Sequence, residues 1–193
     1  MQGNRKKQLK ALLRVIIVVA LLFYLFCLPR KLFDEPYSAV VVDRNGSLLG
    51  ARIASDGQWR FPLEQDIPDK LKTCILLFED EYFYYHWGVN PVSIGKAFFS
   101  NLKAGAVVRG GSTITMQTIR LARKQPRTLI EKIIEAIWTT RLEFRYSKNK
   151  ILNLYASYAP FGGNVVGYSA ASWRYFGHTA TSLSWAEAAT LAV

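Results

Sequence analysis

The sequence is poor in the side chains that most often bind metals or form disulfides. It has two histidines and two cysteines in 193 residues. Cys27 lies in an apolar run and Cys74 in a predicted helix, so we expect no disulfide between them. Histidine- or cysteine-based metal sites need clustered ligands, which these four residues do not form in the sequence. An oxygen-ligated divalent cation is the kind of metal site that the composition leaves open.

Acidic side chains are also scarce, with 14 against 25 basic ones, and the formal net charge is +11. An excess of this size favours anionic partners such as nucleic acid, lipid headgroups or a phosphorylated substrate. Charge alone does not choose among the three. The sequence has no internal repeat and no low-complexity segment, and after the first thirty residues its length allows one domain with a sizeable core.

Of these three anionic partners, the N-terminal sequence favours lipid headgroups. An unbroken apolar run at residues 15–28 follows five basic residues, Arg5, Lys6, Lys7, Lys10 and Arg14. Counted from residue 11, the apolar segment reaches 18 residues, close to the roughly 20 needed to span a bilayer. The sequence offers no small-x-small cleavage site, so an uncleaved anchor is favoured over a cleaved signal peptide or a buried hairpin. We expect a cytoplasmic basic tail at 1–10 and a transmembrane signal-anchor at 11–29, with the rest of the chain outside.

Two short apolar segments flank the dipeptide Asn45-Gly46 within residues 38–50. This dipeptide tolerates positive φ at both central positions of a two-residue turn. The pattern predicts a small β-hairpin just above the membrane, in a juxtamembrane linker that we place at residues 30–66.

From residue 67 the pattern is mainly helical. Pro68 and Asp69 indicate the start of a helix, and apolar residues at three- and four-residue spacing predict that it continues to Gly88. Its buried stripe is predicted to consist of Leu71, Ile75, Phe78, Tyr82 and Tyr85. A second predicted helix, at 92–102, carries Phe98 and Phe99, for which core packing and contact with the membrane interface are equally good interpretations.

Capping residues predict where the next helices begin. Glycines at 105, 110 and 111 bracket a flexible loop, after which Ser112 or Thr113 caps a helix. Thr128 followed by Glu131 matches a capping box, and that helix is predicted to reach about Tyr146. Its buried side is predicted to consist of Ile130, Ile134, Ile137, Trp138 and Leu142. Further helices are predicted at about 148–158, 170–176 and 185–191, with a glycine-rich break at 160–164.

Two carboxylates far apart in the sequence, Glu79 and Glu135, lie on predicted helices whose faces can meet in one cleft. Such a pair suits chemistry at a sugar carbon, where one group handles a proton and the other a leaving group or a charge. On the residues alone, exposed helix acids are the plainer interpretation of both.

Four motifs in order resemble the signatures of the peptidoglycan glycosyltransferases of family 51, the lysozyme-like domains of class A penicillin-binding proteins and of monofunctional transglycosylases. The motifs are Glu79-Asp80-x-x-Phe83-x-x-His86-x-Gly88, Gly110-Gly111-Ser112-Thr113-Ile114-Thr115-x-Gln117, Lys132-x-x-Glu135 and Tyr146-Ser147-Lys148-x-x-Ile151-Leu152-x-x-Tyr155. The resemblance covers about residues 38–193, and its details are most similar to the C-type of the class A proteins.

The resemblance implies a mainly α, lysozyme-like glycosyltransferase domain at residues 67–193, expected to be incomplete at its C-terminus. It implies that Glu79 is the general base that takes a proton from the acceptor's 4-hydroxyl. Partial desolvation by Phe83 and nearby aromatic residues suits this role, because it raises the proton affinity of a carboxylate. Glu135 corresponds to the family's second glutamate, which assists at the departing pyrophosphate with neighbouring bases or a divalent cation, Mg²⁺ or Mn²⁺.

The resemblance also implies which residues contact the substrate. Arg120 and Lys148 match positions that face the pyrophosphate, where cations stabilise the charge that develops. The other predicted substrate-binding residues are Asp80, Phe83, His86, Ser112, Thr113, Gln117 and Lys132. Of these, Asp80 and His86 are expected to organise the first motif rather than to react.

Two positions depart from the family pattern. The third motif has Glu131 before Lys132, where an Arg-Lys pair is usual, and this removes one cation from that corner. The fourth motif has Asn153, where a glutamate usually follows Ile-Leu.

As a function, the resemblance implies polymerisation of lipid II into glycan strands, with inversion at the anomeric carbon and release of undecaprenyl pyrophosphate. The expected place is the bacterial cytoplasmic membrane, crossed once, with the catalytic domain on the outer side. Expected partners are lipid II, the growing glycan strand, the membrane and other cell-wall synthesis proteins; neither nucleic acid as a partner nor a transpeptidase domain in this chain is expected. The alternatives are an inactive, truncated scaffold and a lysozyme-like glycan hydrolase, and the cations Arg120 and Lys148 count against the hydrolase.

Overall fold

The computed structural model describes residues 2–106, 108 and 110–193. Its helices are α1 (Gln2–Phe26), α2 (Asp69–Glu79), α3 (Pro91–Ala104), α4 (Ile114–Arg123), α5 (Leu129–Arg145), α6 (Lys148–Tyr158), α7 (Tyr168–Phe176) and α8 (Trp185–Ala192). The short strands are β1 (Ala39–Val42), β2 (Leu48–Arg52), β3 (Trp59–Arg60) and β4 (Val165–Val166). The prediction of a mainly helical domain after an apolar helix and a small hairpin is confirmed.

Helix α1 stands apart from the core. Its segment Lys6–Phe26 is long and apolar enough to cross a membrane, and the apolar side chains of that segment are exposed. The C-terminal end of α1 contacts helix α5.

The predicted hairpin forms, but its turn differs from the prediction. Strands β1 and β2 pair antiparallel, with Val42 opposite Leu48, so five residues rather than two connect them. The Asp43 carboxylate accepts hydrogen bonds from the backbone N–H groups of Asn45 and Ser47, each at 2.8 Å. Gly46 alone in this turn has a positive φ, of 83°. The aspartate thus builds a wider loop than the dipeptide by itself predicts.

The segment between α1 and the hairpin packs against the domain. Leu32 is buried, and the ring of Phe33 stacks on Tyr158 with 3.7 Å between centroids. The Tyr37 and Tyr158 hydroxyls are 2.6 Å apart, and Glu35 forms an ion pair with Lys124 at 2.7 Å. The first residues of the predicted juxtamembrane linker therefore pack along the surface of the domain.

Helix α2 is shorter than predicted. It ends at Glu79, because Asp80 adopts an extended backbone (φ −162°) and its side chain bonds to residues outside the helix. The chain then makes one turn of 3₁₀ helix, Phe83–Tyr85. Of the predicted stripe, Leu71 and Ile75 are buried, but Phe78, Tyr82 and Tyr85 are exposed, so that part of the prediction is wrong.

Helices α4 and α5 form an antiparallel hairpin at the centre of the domain. Thr113 caps α4 and Thr128 caps α5 through their side-chain oxygens, as the sequence predicts in outline. The face of α5 that meets α4 carries Glu131 and Glu135, both buried. Ile130 and Ile137 are consequently exposed, so the predicted buried side of α5 is wrong at these two positions.

Helices α6, α7 and α8 begin and end close to the predicted residues. Ser147 caps α6, every residue of which from Ile151 to Tyr158 is buried. Ser184 and Glu187 form a reciprocal capping box at the start of α8. Helix α8 packs on α2, at whose C-terminal end Glu79 lies, and α6 packs on α4.

Candidate active site

A cleft of about 1110 Å³ lies where the end of α2 meets the loop before α4. It brings together residues from the first two motifs: Glu79, Asp80, His86, Ser112, Thr113 and Gln117. Arg120 and Arg127 also line it. The first two motifs therefore line one cavity.

Glu79 occupies the last position of α2 and is half-buried. Its Oε2 accepts a hydrogen bond of 2.6 Å from Nε2 of Gln117. A second cavity, of about 560 Å³, is lined by Glu79 together with Tyr155, Phe161 and Tyr175. The pKa of the Tyr155 hydroxyl is raised by burial and further by the negative charge of Glu79. Glu79 is thus a positioned carboxylate at the junction of two cavities.

Asp80 is buried and links the first two motifs. Its carboxylate lies 3.0 Å from Nε2 of His86 and accepts a hydrogen bond of 3.1 Å from the backbone N–H of Ile114. The second contact places a negative charge at the N-terminus of α4, where the helix dipole stabilises it. Nδ1 of His86 is buried without a hydrogen-bond partner among the described residues. Asp80 and His86 thus bond to each other, and their organising role stays a prediction.

Ser112 and Thr113 differ in what their hydroxyls do. The Thr113 hydroxyl donates to the carbonyl of Gly88 and accepts from the backbone N–H of Met116 at 3.2 Å. It is therefore occupied within the protein, and contact of Thr113 with a substrate stays a prediction. The Ser112 hydroxyl is half-buried in the cleft and accepts a hydrogen bond of 3.1 Å from Arg120.

Arg120 and Glu135 form a bidentate ion pair. Nε of Arg120 lies 3.0 Å from Oε1 of Glu135, and Nη2 lies 2.9 Å from Oε2. The Glu135 side chain is 6% exposed and the Arg120 side chain 25% exposed. Fork-to-fork geometry of this kind is strong and directional. Glu135 thus fixes the guanidinium that faces the cleft.

Sequence reasoning missed Arg127. This exposed arginine lines the cleft, and it has no hydrogen-bond or ion-pair partner among the described residues. Its signal in the sequence is its place between Pro126 and the capping residue Thr128, which brings it close to the start of α5. It adds a cation to the cavity that Arg120 and Lys96 also line.

Three predicted substrate-binding residues do not line this cleft. Phe83 is fully buried, and Lys132 is exposed on α5. Nζ of Lys148 lies 2.8 Å from the Glu143 carboxylate and 4.4 Å from the centroid of the Phe83 ring. Sequence reasoning missed Glu143, which also accepts a hydrogen bond of 2.6 Å from Thr115. Lys148 and Phe83 thus contact each other outside this cavity, and their contact with a substrate stays a prediction.

Gly88 shows how tightly this region is packed. A Cβ at this position would lie 2.5 Å from Thr139 and 2.9 Å from Glu143. Its φ of 78° is also unfavourable for other residues. The first motif therefore ends in a glycine because α5 leaves no room for a side chain.

The donor set does not fit a resident divalent cation. Both oxygens of Glu135 are bound by Arg120, and the described part of the chain holds no cluster of three or more histidine, cysteine, aspartate or glutamate side chains. Ions such as Mg²⁺ need several oxygen ligands in regular geometry.

Comparison with known proteins identifies the family of this chain. The transglycosylase family matches residues 46–193. Penicillin-binding protein 1C of Escherichia coli (strain K12) is 40% identical over 166 residues, 86% of this chain and 22% of the relative. Penicillin-binding protein 1A of Aquifex aeolicus (strain VF5) is 35% identical over 199 residues, 97% of this chain and 27% of the relative.

A third relative, penicillin-binding protein 1A/1B of Bacillus subtilis (strain 168), is 34% identical over 159 residues, 81% of this chain and 17% of the relative. The chain thus spans between a sixth and little more than a quarter of the length of these relatives. The chain belongs to the transglycosylase family, the peptidoglycan glycosyltransferases of class A penicillin-binding proteins, as its four motifs predict.

Proposed function

We propose that this chain is a membrane-anchored glycosyltransferase that polymerises lipid II into glycan strands at the outer face of the bacterial cytoplasmic membrane. The observation that carries the proposal is the position of Glu79, a half-buried carboxylate between two cavities, oriented by Gln117 and facing the same cleft as two arginines. A sugar acceptor and a lipid-linked donor need two adjoining sites of this kind.

In the proposed reaction Glu79 is the general base. Its carboxylate takes the proton of the acceptor's 4-hydroxyl, and the resulting oxygen nucleophile attacks the anomeric carbon of the donor. The new C–O bond forms as the bond to the pyrophosphate breaks on the opposite face, so the anomeric configuration inverts. The amide of Gln117 holds one carboxylate oxygen and thereby fixes the direction in which the carboxylate accepts the proton.

The leaving group is undecaprenyl pyrophosphate, which gains negative charge as the bond breaks. Arg120 and Arg127 line the cleft as cations, and Arg120 is held in place by Glu135 and Ser112. Preorganised cations that meet developing charge in a partly desolvated site lower the barrier without reorganising. This assigns Glu135 to orienting a cation rather than to proton transfer.

The proposed place of the reaction follows from the apolar surfaces. Segment Lys6–Phe26 of α1 is the proposed anchor. Helix α3 exposes Phe98, Phe99 and Leu102 beside Lys103, an arrangement suited to the interface of an anionic bilayer. Of the two interpretations of these phenylalanines, contact with the membrane is the one we propose. Association with other cell-wall synthesis proteins is part of the same proposal.

The test is incubation of the detergent-solubilised chain with labelled lipid II, followed by gel separation of glycan polymers. We expect polymer from the parent and none from Glu79→Gln. Asp69→Asn is the matched control, because it makes the same acid-to-amide change at the exposed far end of α2. Equal polymer from Glu79→Gln and the parent would contradict the assigned base. A folded parent that makes no polymer would favour the scaffold alternative, and release of fragments from finished glycan would favour the hydrolase.

A further inference from the structure

The outer end of α1 is tied to α5 by two arginines. Nε of Arg141 donates a hydrogen bond of 3.1 Å to the carbonyl of Leu25, in the last turn of α1. The guanidinium of Arg145 donates to the carbonyls of Pro29 and Arg30, just beyond the helix. We call these two side chains and the carbonyls that they bind the clamp.

One of the clamp carbonyls, that of Leu25, is a group that a helix end leaves available. The last four carbonyls of a helix have no partner within the helix, and the negative end of the helix dipole attracts a cation. Arg141 and Arg145 lie one turn apart on α5, so both reach the same end of α1. The Tyr24 hydroxyl, 3.2 Å from that of Thr140, adds a contact beside them.

The clamp also sets a direction. Residues 24 and 25 of α1 contact residues 140 and 141 of α5, whereas residues 29 and 30 contact residue 145. The two segments therefore run in the same direction. The N-terminal half of α5 consequently lies on the same side as the N-terminal part of α1. This half of α5 exposes four large apolar side chains, Leu129, Ile130, Ile133 and Ile137.

The same helix carries the charged side of the cleft. Glu135, which holds Arg120, faces α4. A shift of α5 relative to α1 therefore moves the arginine of the cleft relative to the bilayer. A lipid-linked substrate presents its pyrophosphate at a fixed depth, so the height of this arginine above the membrane decides whether the two meet.

We propose that Arg141 and Arg145 are positioning residues that lock the membrane anchor to α5 and so set the height and tilt of the cleft above the bilayer. This inference rests on the proposed function. A displacement of about 1 Å at a reacting centre can cost about 100-fold in rate, so a loosened anchor has a large effect without any change in the cleft itself.

The kinetic test compares vesicles with detergent micelles. We expect the clamp variant, Arg141→Ala with Arg145→Ala, to polymerise lipid II at least tenfold more slowly than the parent in vesicles and within about twofold of the parent in micelles, where enzyme and substrate adjust freely. The control, Arg44→Ala with Arg52→Ala, removes the same charge from exposed positions of the hairpin and should match the parent in both. An equal loss in vesicles and micelles, or no loss in vesicles, would overturn the proposal.

A distance measurement tests the clamp without using activity. Spin labels at Val18→Cys and Ile133→Cys, with Cys27 and Cys74 replaced by serine, report the distance between α1 and α5 in vesicles. We expect a narrow distribution for the parent and a broad one for the clamp variant. A broad distribution in the parent would refute the clamp even in an active protein. A narrow parent distribution that broadens in the variant would support the clamp even if lipid II proved not to be the substrate.

Discussion

Arg120 and Arg123 lie one turn apart on α4, and each reaches a glutamate on α5. Arg120 binds Glu135 and also donates to Ser112 in the cleft. Arg123 binds Glu131, and its guanidinium lies 4.2 Å from the centroid of the Trp138 ring. Trp138 is half-buried and covers the second pair, whereas the first opens onto the cleft. Two similar arginine–glutamate pairs, one turn apart, thus differ in exposure. Arg120 can contact a substrate in the cleft, whereas Arg123 is covered by the protein.

The comparison also explains the departure at Glu131. A glutamate in place of the usual arginine removes a cation from the third motif, but this glutamate is buried against Arg123. The pair balances its own charge, so the departure does not leave an uncompensated acid beside the cleft. The exposure of each arginine and the residues that surround it, rather than the residue type, decide whether it faces the cleft.

The largest effect should come from breaking the cleft-facing pair. We expect Arg120→Ala to slow polymerisation of lipid II by at least about 100-fold, because it removes a preorganised cation from the leaving group and frees Glu135. Arg120→Lys keeps the charge but loses the bidentate contact, and it should recover part of the rate. Initial rates from gel-resolved polymer provide the measurement. A loss of less than threefold in Arg120→Ala would remove Arg120 from the mechanism.

Breaking the covered pair should affect stability instead. We expect Arg123→Ala to lower the free energy of unfolding by about 2 kcal/mol, because the buried Glu131 loses a charge-assisted partner. The rate of the folded fraction should stay within about threefold of the parent. Denaturant titration in detergent provides the first measurement and initial rates the second. The charge-reversed double variant, Arg123→Glu with Glu131→Arg, should recover part of the stability; a rate loss equal to that of Arg120→Ala would erase the distinction between the pairs.

Lys148 and Glu143 form a third ion pair. This pair lies beside the first motif, outside the cleft. We therefore expect Lys148→Gln and Glu143→Gln each to slow polymerisation by about fivefold, with the KM for lipid II unchanged. Since both act through one contact, the double variant should be no slower than either single variant. A raised KM in Lys148→Gln alone, with additive losses, would instead place Lys148 at the pyrophosphate.

The smallest effect should be the pH dependence of the covered pair. The hydrogen bond from Arg123 lowers the pKa of Glu131 below its usual value in the unfolded chain. A lowered folded-state pKa stabilises the protein fully above the unfolded pKa, and this contribution is lost as the pH falls through the folded pKa. The stability gap between the parent and Arg123→Ala should thus be widest near neutral pH and narrow below about pH 4.5. A gap that stays constant down to pH 2.5 would show that Glu131 is not the titrating group.

The sequence predicts most helix limits, because caps and glycine breaks are local signals. It fails at the end of α2, where apolar periodicity continues past Glu79 but the Asp80 side chain bonds to Ile114, far along the chain. Periodicity also misassigned α5, since Glu131 and Glu135 are buried by partners on another helix. Contacts between distant segments decide these features, and no local pattern records them.

The same limit applies to the site. Glu79, Gln117 and Arg120 line one cleft, whereas their roles stay predictions. The sequence could not show that Arg127 faces the cleft while Lys148 pairs with Glu143, because both are basic residues beside helix starts. The different surroundings of Arg127 and Lys148 arise from the packing of α5 against α4 and α6.

The two cavities that adjoin at Glu79 have a consequence for inhibitor design. The volumes of the two cavities are about 560 and 1110 Å³, and the Glu79 carboxylate lies on the boundary between them. A rigid compound that fills one cavity ends at this carboxylate. A compound with an arm in each cavity must cross it, so a cationic or hydrogen-bond-donating centre between the arms would gain a contact that neither arm makes alone.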